Sequence, residues 1–186
     1  MGNIYVTSDW HFGHSREFIY GPRGFTSIED HDEAIINNHN SIVTNEDDVY
    51  VLGDLMLGNN NHGIECILRL NGKLHIVRGN HDTSARIELY KTLPNVVEVA
   101  DAIRFKCGKY NFYCYHYPTL TGNLEKETLK QMEINLYGHT HQTNSFYEDR
   151  PYMFHCGIDS NACKPVEINK VIELCENKVK ECIEYL

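Results

Sequence analysis

Residues 4–11 read Ile4-Tyr5-Val6-Thr7-Ser8-Asp9-Trp10-His11, an apolar run followed at once by polar side chains. The same order of apolar and then polar residues recurs in Asp48-Val49-Tyr50-Val51-Leu52-Gly53-Asp54 and in Lys73-Leu74-His75-Ile76-Val77-Arg78-Gly79-Asn80-His81-Asp82. Short runs rich in β-branched and aromatic residues predict buried strands, and here each strand is expected to end where its polar residues begin.

Helices are predicted between these strands. Residues 28–43 carry apolar side chains at helical spacing, and Ser27 is suited to cap the first turn. Residues 64–70 repeat the helical pattern over a shorter length. Alternating strands and helices predict βαβ units on a largely parallel sheet, and therefore an α/β fold.

The second half of the chain has a different pattern. It contains short strand-like runs with few helical segments between them, at 96–99, 102–105, 110–115, 134–137 and 153–156. We expect these strands to form a second, more antiparallel sheet packed on the first. An apolar stripe over 167–183 predicts a closing helix, and we expect residues 1–186 to form a single domain.

Composition limits the class of protein. Of the 186 residues, 41% are hydrophobic, which fits a globular chain, and 17 basic against 26 acidic residues give a net charge of −9. This charge disfavours long nucleic acid as a partner, although it is compatible with small phosphate substrates. Scattered cysteines without a C-x-x-C pair and the lack of an apolar run of roughly 20 residues predict a cytoplasmic protein with no membrane partner. The oligomeric state is left open.

Polar side chains at the predicted strand ends are of metal-binding types. Ligands of open α/β sheets bind beyond the carboxyl ends of the strands. The available groups are carboxylates, an amide and imidazoles, which favour manganese, with iron, zinc or nickel as alternatives. The candidate metal ligands are Asp9, His11, Asp54, Asn80, His116, His139 and His141.

The number of ligands is sufficient for two divalent cations. A pair of cations about 3.5–4 Å apart needs a shared carboxylate, and we assign that bridge to Asp54. One site is then completed by Asp9, His11 and His141, and the other by Asn80, His116 and His139. On an extended segment, His139 and His141 would share one side and could each reach a different metal.

These segments also resemble a known family. In chain order they are Asp9-x-His11, Gly53-Asp54, Gly79-Asn80-His81-Asp82, His116 and Gly138-His139-x-His141. They resemble the five motifs of the calcineurin-like metallophosphoesterase superfamily, and especially its compact bacterial and phage-type phosphoesterases. The resemblance implies a four-layer αββα sandwich of two mixed sheets flanked by helices. It also implies a dinuclear centre that hydrolyses phosphomonoesters or phosphodiesters.

The expected mechanism follows from metal chemistry. A water that bridges two cations ionises near neutrality and can attack phosphorus in line. We expect His81 to protonate the leaving alkoxide as general acid, so His81 and the bridging Asp54 are the expected catalytic residues.

Two departures from the family pattern concern the substrate, and one of them is the extra His14, three residues after His11. The segment after Gly53-Asp54 lacks the second Asp and the Arg of the protein-phosphatase branch, which disfavours a phosphoprotein phosphatase and leaves the residue that orients His81 open. Candidates for the missing phosphate-binding arginine are Arg16, Arg23 and Arg78. The candidate substrate contacts are His14, Asn80, Arg16 and Tyr117.

The expected activity is hydrolysis of a small, nucleotide-like phosphodiester. A compact chain without a cap leaves room on both sides of phosphorus, which favours a diester. A phosphomonoesterase on the same scaffold is the first alternative. A non-catalytic binding module is the second, and it is disfavoured because every motif is complete.

Overall fold

Two mixed β-sheets with helices make up the computed structural model, which describes residues 2–121 and 133–184. The strands of the first sheet are β1 (Ile4–Thr7), β2 (Asp48–Val51), β3 (Lys73–Val77), β4 (Val96–Ala100) and β9 (Val166–Glu167). Their order in the sheet is β4-β3-β2-β1-β9. β1 to β4 are parallel, as predicted from the βαβ pattern, whereas β9 pairs antiparallel with β1.

The strands of the second sheet are β5 (Ala102–Cys107), β6 (Tyr110–Tyr115), β7 (Glu133–Tyr137) and β8 (Met153–His155), in that order. Only β5 and β6 pair antiparallel, while β7 is parallel to both β6 and β8. The prediction of a more antiparallel sheet therefore holds only for the pairing of β5 with β6, and the second sheet is mixed. Connections 116–132 and 138–152 have the length that parallel crossovers need, and this signal could have been read from the sequence.

The described helices are α1 (Glu17–Tyr20), α2 (Ile28–Asn40), α3 (Asn60–Leu68), α4 (Ser84–Tyr90) and α5 (Ile168–Glu184). α2, α3 and α5 confirm the three predicted helices with shifted ends, whereas α1 and α4 were not predicted. The Ser27 side chain caps α2 by accepting a hydrogen bond from the Asp30 N–H at 3.1 Å. None of the described helices is both long and apolar enough to cross a membrane.

Side chains of the first sheet alternate between two apolar clusters. Val49 and Val51 of β2 face a cluster that includes Ile35 of α2 and Ile67 of α3, whereas Tyr50 faces the second sheet. Because successive side chains of a strand point to opposite faces, helices pack on one face of the first sheet and β6 and β7 pack on the other. This core fixes five strands that have parallel neighbours, and the polar segments follow their carboxyl ends. These strands are β1, β2, β3, β6 and β7.

Candidate metal centre

The loops after these five strands are hydrogen-bonded to one another. Asp9 follows β1, and its N–H donates to the Gly53 carbonyl at 3.1 Å. Gly138 follows β7, and its N–H donates to the His116 carbonyl at 2.9 Å. The Asp9 carboxylate accepts hydrogen bonds from the His139 N–H at 3.0 and 3.1 Å, which joins the two sheets. The loops are therefore held as one unit.

Asp9, His11 and His141 form the first donor set, in which one ligand atom of each residue lies within 4.8 Å of the others. The Nε2 atoms of His11 and His141 are 3.1 Å apart. Two imidazoles that bind one cation at about 2.0–2.1 Å hold their nitrogens about 3.0–3.4 Å apart. The observed spacing therefore fits a cation between them.

Asn80, His116 and His139 form the second donor set. The Asn80 Oδ1 atom lies 2.8 Å from His116 Nε2 and 2.9 Å from His139 Nδ1. An amide oxygen can only accept hydrogen bonds, and a neutral imidazole has one accepting nitrogen. Three convergent atoms that can act as lone-pair donors are the arrangement a cation requires.

Asp54 lies between the two donor sets. Its Oδ2 atom is 3.8 Å from His11 Nε2 and 3.5 Å from His116 Nε2. Its Oδ1 atom accepts the His81 N–H at 2.8 Å, so the carboxylate is fixed in position. This placement is the one expected of a bridging ligand.

Two of the imidazoles have their tautomer set by a group outside the donor sets. The His116 Nδ1 atom lies 2.7 Å from the Leu52 carbonyl oxygen, which can only accept, so Nδ1 carries the proton. His141 Nδ1 lies 3.0 Å from the Asp159 carboxylate and is protonated for the same reason. In a neutral ring, each Nε2 is then left with a lone pair directed into the centre.

Burial is the main cause of the pKa shifts of His11 and Asp9. It lowers the pKa of His11 to about 2 and raises the pKa of Asp9 to about 6. The Nδ1 atom of His11 is also buried without a hydrogen-bond partner among the described residues. A bound cation would reverse the local field and favour the ionised Asp9 and neutral His11 that ligation requires.

Five of the seven candidate ligands have a left-handed backbone, with φ between 48° and 68°: Asp9, His11, Asp54, His139 and His141. Residues other than glycine rarely adopt this conformation, and it costs about 1–3 kcal/mol at each position. The extended segment expected for His139 and His141 is therefore wrong. The left-handed backbone instead directs the His139 side chain into the second donor set and the His141 side chain into the first.

Arg23 and Asp159 form a buried ion pair beside the first donor set. The guanidinium donates to both oxygens of Asp159, at 2.8 and 3.0 Å, and also to the carbonyls of Asp9 and Trp10. Burial raises the pKa of Asp159, but hydrogen bonds from His141 and Arg23 outweigh it and hold this pKa far below its usual range. The hypothesis that Arg23 binds phosphate is wrong, because these contacts occupy its donors.

Asp159 is the residue that sequence reasoning missed. It lies in the short 3-10 turn Ile158–Ser160, and it orients His141 through Nδ1. Asp159 and Arg23 are separated by 136 residues, and neither lies in one of the five motifs. No signal in the sequence alone could have joined them.

The His81 backbone is fixed on both sides. Its N–H donates to Asp54, and its carbonyl accepts from Arg86 at 2.9 Å. The His81 side chain is 42% exposed, and its Nε2 lies 3.9 Å from Asp54 Oδ2. Asp82 is buried and accepts the N–H groups of Gly79 and Asp54, so it shapes these loops. His81 thus faces the centre from a rigid backbone.

The remaining candidate substrate contacts are dispersed. His14 lies beside the first donor set, with its ring centroid 5.8 Å from that of His11. Tyr117 packs edge-on against His139, at 4.7 Å between ring centroids, beside the second donor set. Arg16 is exposed at the start of α1, and the Arg78 Nε–H donates to the Asp82 carbonyl.

Comparison with known proteins agrees with this geometry. Residues 3–164 match the model of the calcineurin-like phosphoesterase superfamily domain. An uncharacterised protein of Methanocaldococcus jannaschii is 28% identical over 183 residues, covering 95% of this chain and 93% of its own length. The gene 66 protein of Mycobacterium phage D29 is 25% identical over 183 residues, covering 86% and 89%.

A solved structure has the same fold. The crystal structure of a protein of unknown function from Aquifex aeolicus superposes with a TM-score of 0.70 at 22% identity, covering 94% of this chain and 100% of that one. The match to the family model spans most of the chain and includes all the polar segments described above. The chain therefore belongs to the calcineurin-like phosphoesterase superfamily, whose members are metal-dependent hydrolases of phosphoester bonds.

Proposed function

We propose that this protein hydrolyses a phosphodiester bond in a small, nucleotide-like substrate at a dinuclear metal centre. The observation that carries the proposal is the position of Asp54 between two convergent donor sets. The first donor set would hold one cation, and the second donor set would hold the other. Manganese suits this mixture of oxygen and imidazole donors, and iron, zinc and nickel are alternatives.

Two bound cations would supply an activated water for in-line attack and would neutralise charge on the phosphoryl oxygens. The chain's own residues would do the rest. Arg23 and Asp159 hold His141 and the Asp9 backbone in place. His81, whose side chain is partly exposed at the edge of the centre, would donate a proton to the leaving oxygen.

Access to the centre supports a diester. A cavity opens beside His11 and His81, whereas Tyr117 is partly exposed beside the second donor set. A diester has a substituent on each side of phosphorus, and among residues 2–121 and 133–184 both sides of the centre are accessible to solvent. A phosphomonoesterase is the alternative on the same centre.

The experiment compares bis-4-nitrophenyl phosphate and 4-nitrophenyl phosphate on protein stripped of metal and then supplied with manganese, iron, zinc or nickel. We expect metal-dependent cleavage of the diester with little cleavage of the monoester. A preference for the monoester would replace the proposal by the alternative. Metal binding of two equivalents without turnover of either ester would contradict catalysis.

A variant tests the role of His81. His81→Asn is expected to retain both metals and to lose about 10²–10⁴-fold in turnover of a diester with a poor leaving group. The loss should be smaller for 4-nitrophenyl esters, because their leaving group needs less protonation. His75→Gln is the control, since His75 lies on β3 and pairs with Asp48 and Glu98. Equal losses in the two variants would remove His81 from its assigned role.

A further inference from the structure

A cavity of about 460 Å³ lies against the first donor set. This volume falls within the range of about 300–1,000 Å³ typical of small-molecule sites. One wall is polar and contains His11, His81 and His141. The apolar wall is formed by Phe18, Ile19, Pro22 and Leu57. The first three of these come from α1 and the turn after it, which no motif predicted.

Phe18 is the most prominent residue of the apolar wall. It is 67% exposed, the highest fraction among the exposed large hydrophobic residues of the described chain. Its ring meets His14 edge-on, with 5.5 Å between the ring centroids. Aromatic rings in this setting bind other flat rings through stacked or edge-on contacts. A row of rings therefore leads from His11 through His14 to Phe18.

The position of His81 identifies which part of a substrate would enter. A general acid must come within hydrogen-bonding reach of the leaving oxygen. His81 lines this cavity, so the group attached to that oxygen would extend along the apolar wall. The substituent retained on phosphorus would extend roughly perpendicular to that direction, because the attacking and departing oxygens lie in line on opposite sides of phosphorus.

We propose that this cavity binds the leaving group of the substrate and favours one that carries a planar aromatic ring, with Phe18 as the specificity-determining residue. The inference rests on the proposed function, because it needs phosphorus at the metal centre and His81 as acid. Both a nucleoside and a simple aryl alcohol offer this chemistry.

The test uses two diesters that share a leaving group: methyl 4-nitrophenyl phosphate and thymidine 5′-(4-nitrophenyl phosphate). Both release 4-nitrophenolate, which is followed by absorbance. Phe18→Ala is expected to lower kcat/KM by about 10-fold on both substrates. Phe18→Tyr keeps the ring and should restore the rate, and Val97→Ala, an exposed residue on β4, is the matched control. Metal content and Tm should match those of the wild type.

Each other outcome has a defined meaning. A loss confined to the thymidine ester would show that the cavity holds the retained group, and would overturn the inference. An unchanged rate on both esters would overturn it as well. If the wild-type protein cleaves neither ester, the proposed function fails. Whether the cavity binds an aromatic ring is then tested by a binding measurement that needs no metal. Saturation-transfer NMR of 4-nitrophenol with metal-free protein should show ring contact that Phe18→Ala abolishes, and no contact in the wild type would refute the aromatic site.

Discussion

Replacing Arg23 by methionine would leave the largely buried carboxylate of Asp159 without its arginine partner. The side chain of Arg23 is 2% exposed and that of Asp159 is 12% exposed, so little water can replace the lost contacts. The carbonyls of Asp9 and Trp10 would lose a donor as well. Removing one member of a buried ion pair costs about 3–5 kcal/mol. In a domain of this size, that loss lowers Tm by roughly 6–20 °C.

Thermal and urea unfolding of metal-free protein measure this change without relying on activity. Arg69→Met is the matched control, because the Arg69–Glu33 pair is about half exposed on both sides and should contribute less than about 1 kcal/mol. The reasoning would be refuted if Arg23→Met destabilised the protein no more than Arg69→Met. A second readout is metal affinity, which should fall because Asp159, no longer fixed by Arg23, would hold His141 less firmly.

Three further predictions concern the loops, the core and the metals. Gly138→Ala would place a methyl group against Ser8 Oγ and the Asp9 carboxylate; we expect a folded protein with reduced metal content, and full metal content would contradict this. Burial lowers the pKa of His39 to about 4, so folding favours its neutral form and stability falls as pH drops from about 6.5 towards 4. Between pH 7 and 4.5, urea unfolding of His39→Gln should therefore lose about 2–3 kcal/mol less than the wild type, and equal losses would exclude His39 as the cause. Chelation should lower Tm, and added manganese should restore it; a Tm indifferent to both would argue against a metal centre.

Much of the fold could be predicted because strand ends and polar motifs coincide. The apolar run before Asp9 and the run before Asp54 each had to end at a charged side chain, because such a side chain cannot pack among apolar residues without polar partners. Parallel neighbours then bring those ends to one edge, whatever the details of the loops. This is why His116 and His139, far apart in sequence from Asn80, could be expected beside it.

Other features depend on contacts that periodicity does not encode. α1 has no buried residue and so lacks an amphipathic pattern, although it forms part of the cavity. Asp32 lies near the start of α2, where acidic residues are usually solvated and favoured by the helix dipole, but it is buried and binds His31 and His62. The Arg23–Asp159 pair likewise exists only after the two halves of the chain have folded together.

The left-handed backbone of the candidate ligands lowers the stability of the fold at the same positions that metal binding requires. Glycine or asparagine would relax this strain at each position, yet neither restores the imidazole or carboxylate that a cation needs. Mutants selected for heat resistance in the absence of metal should therefore accumulate changes at Asp9, His11, Asp54, His139 and His141, and lose the ability to bind metal as the metal-free protein gains stability. Under selection for turnover, the same five positions should remain unchanged. Substitutions at these positions would therefore distinguish selection for stability from selection for activity.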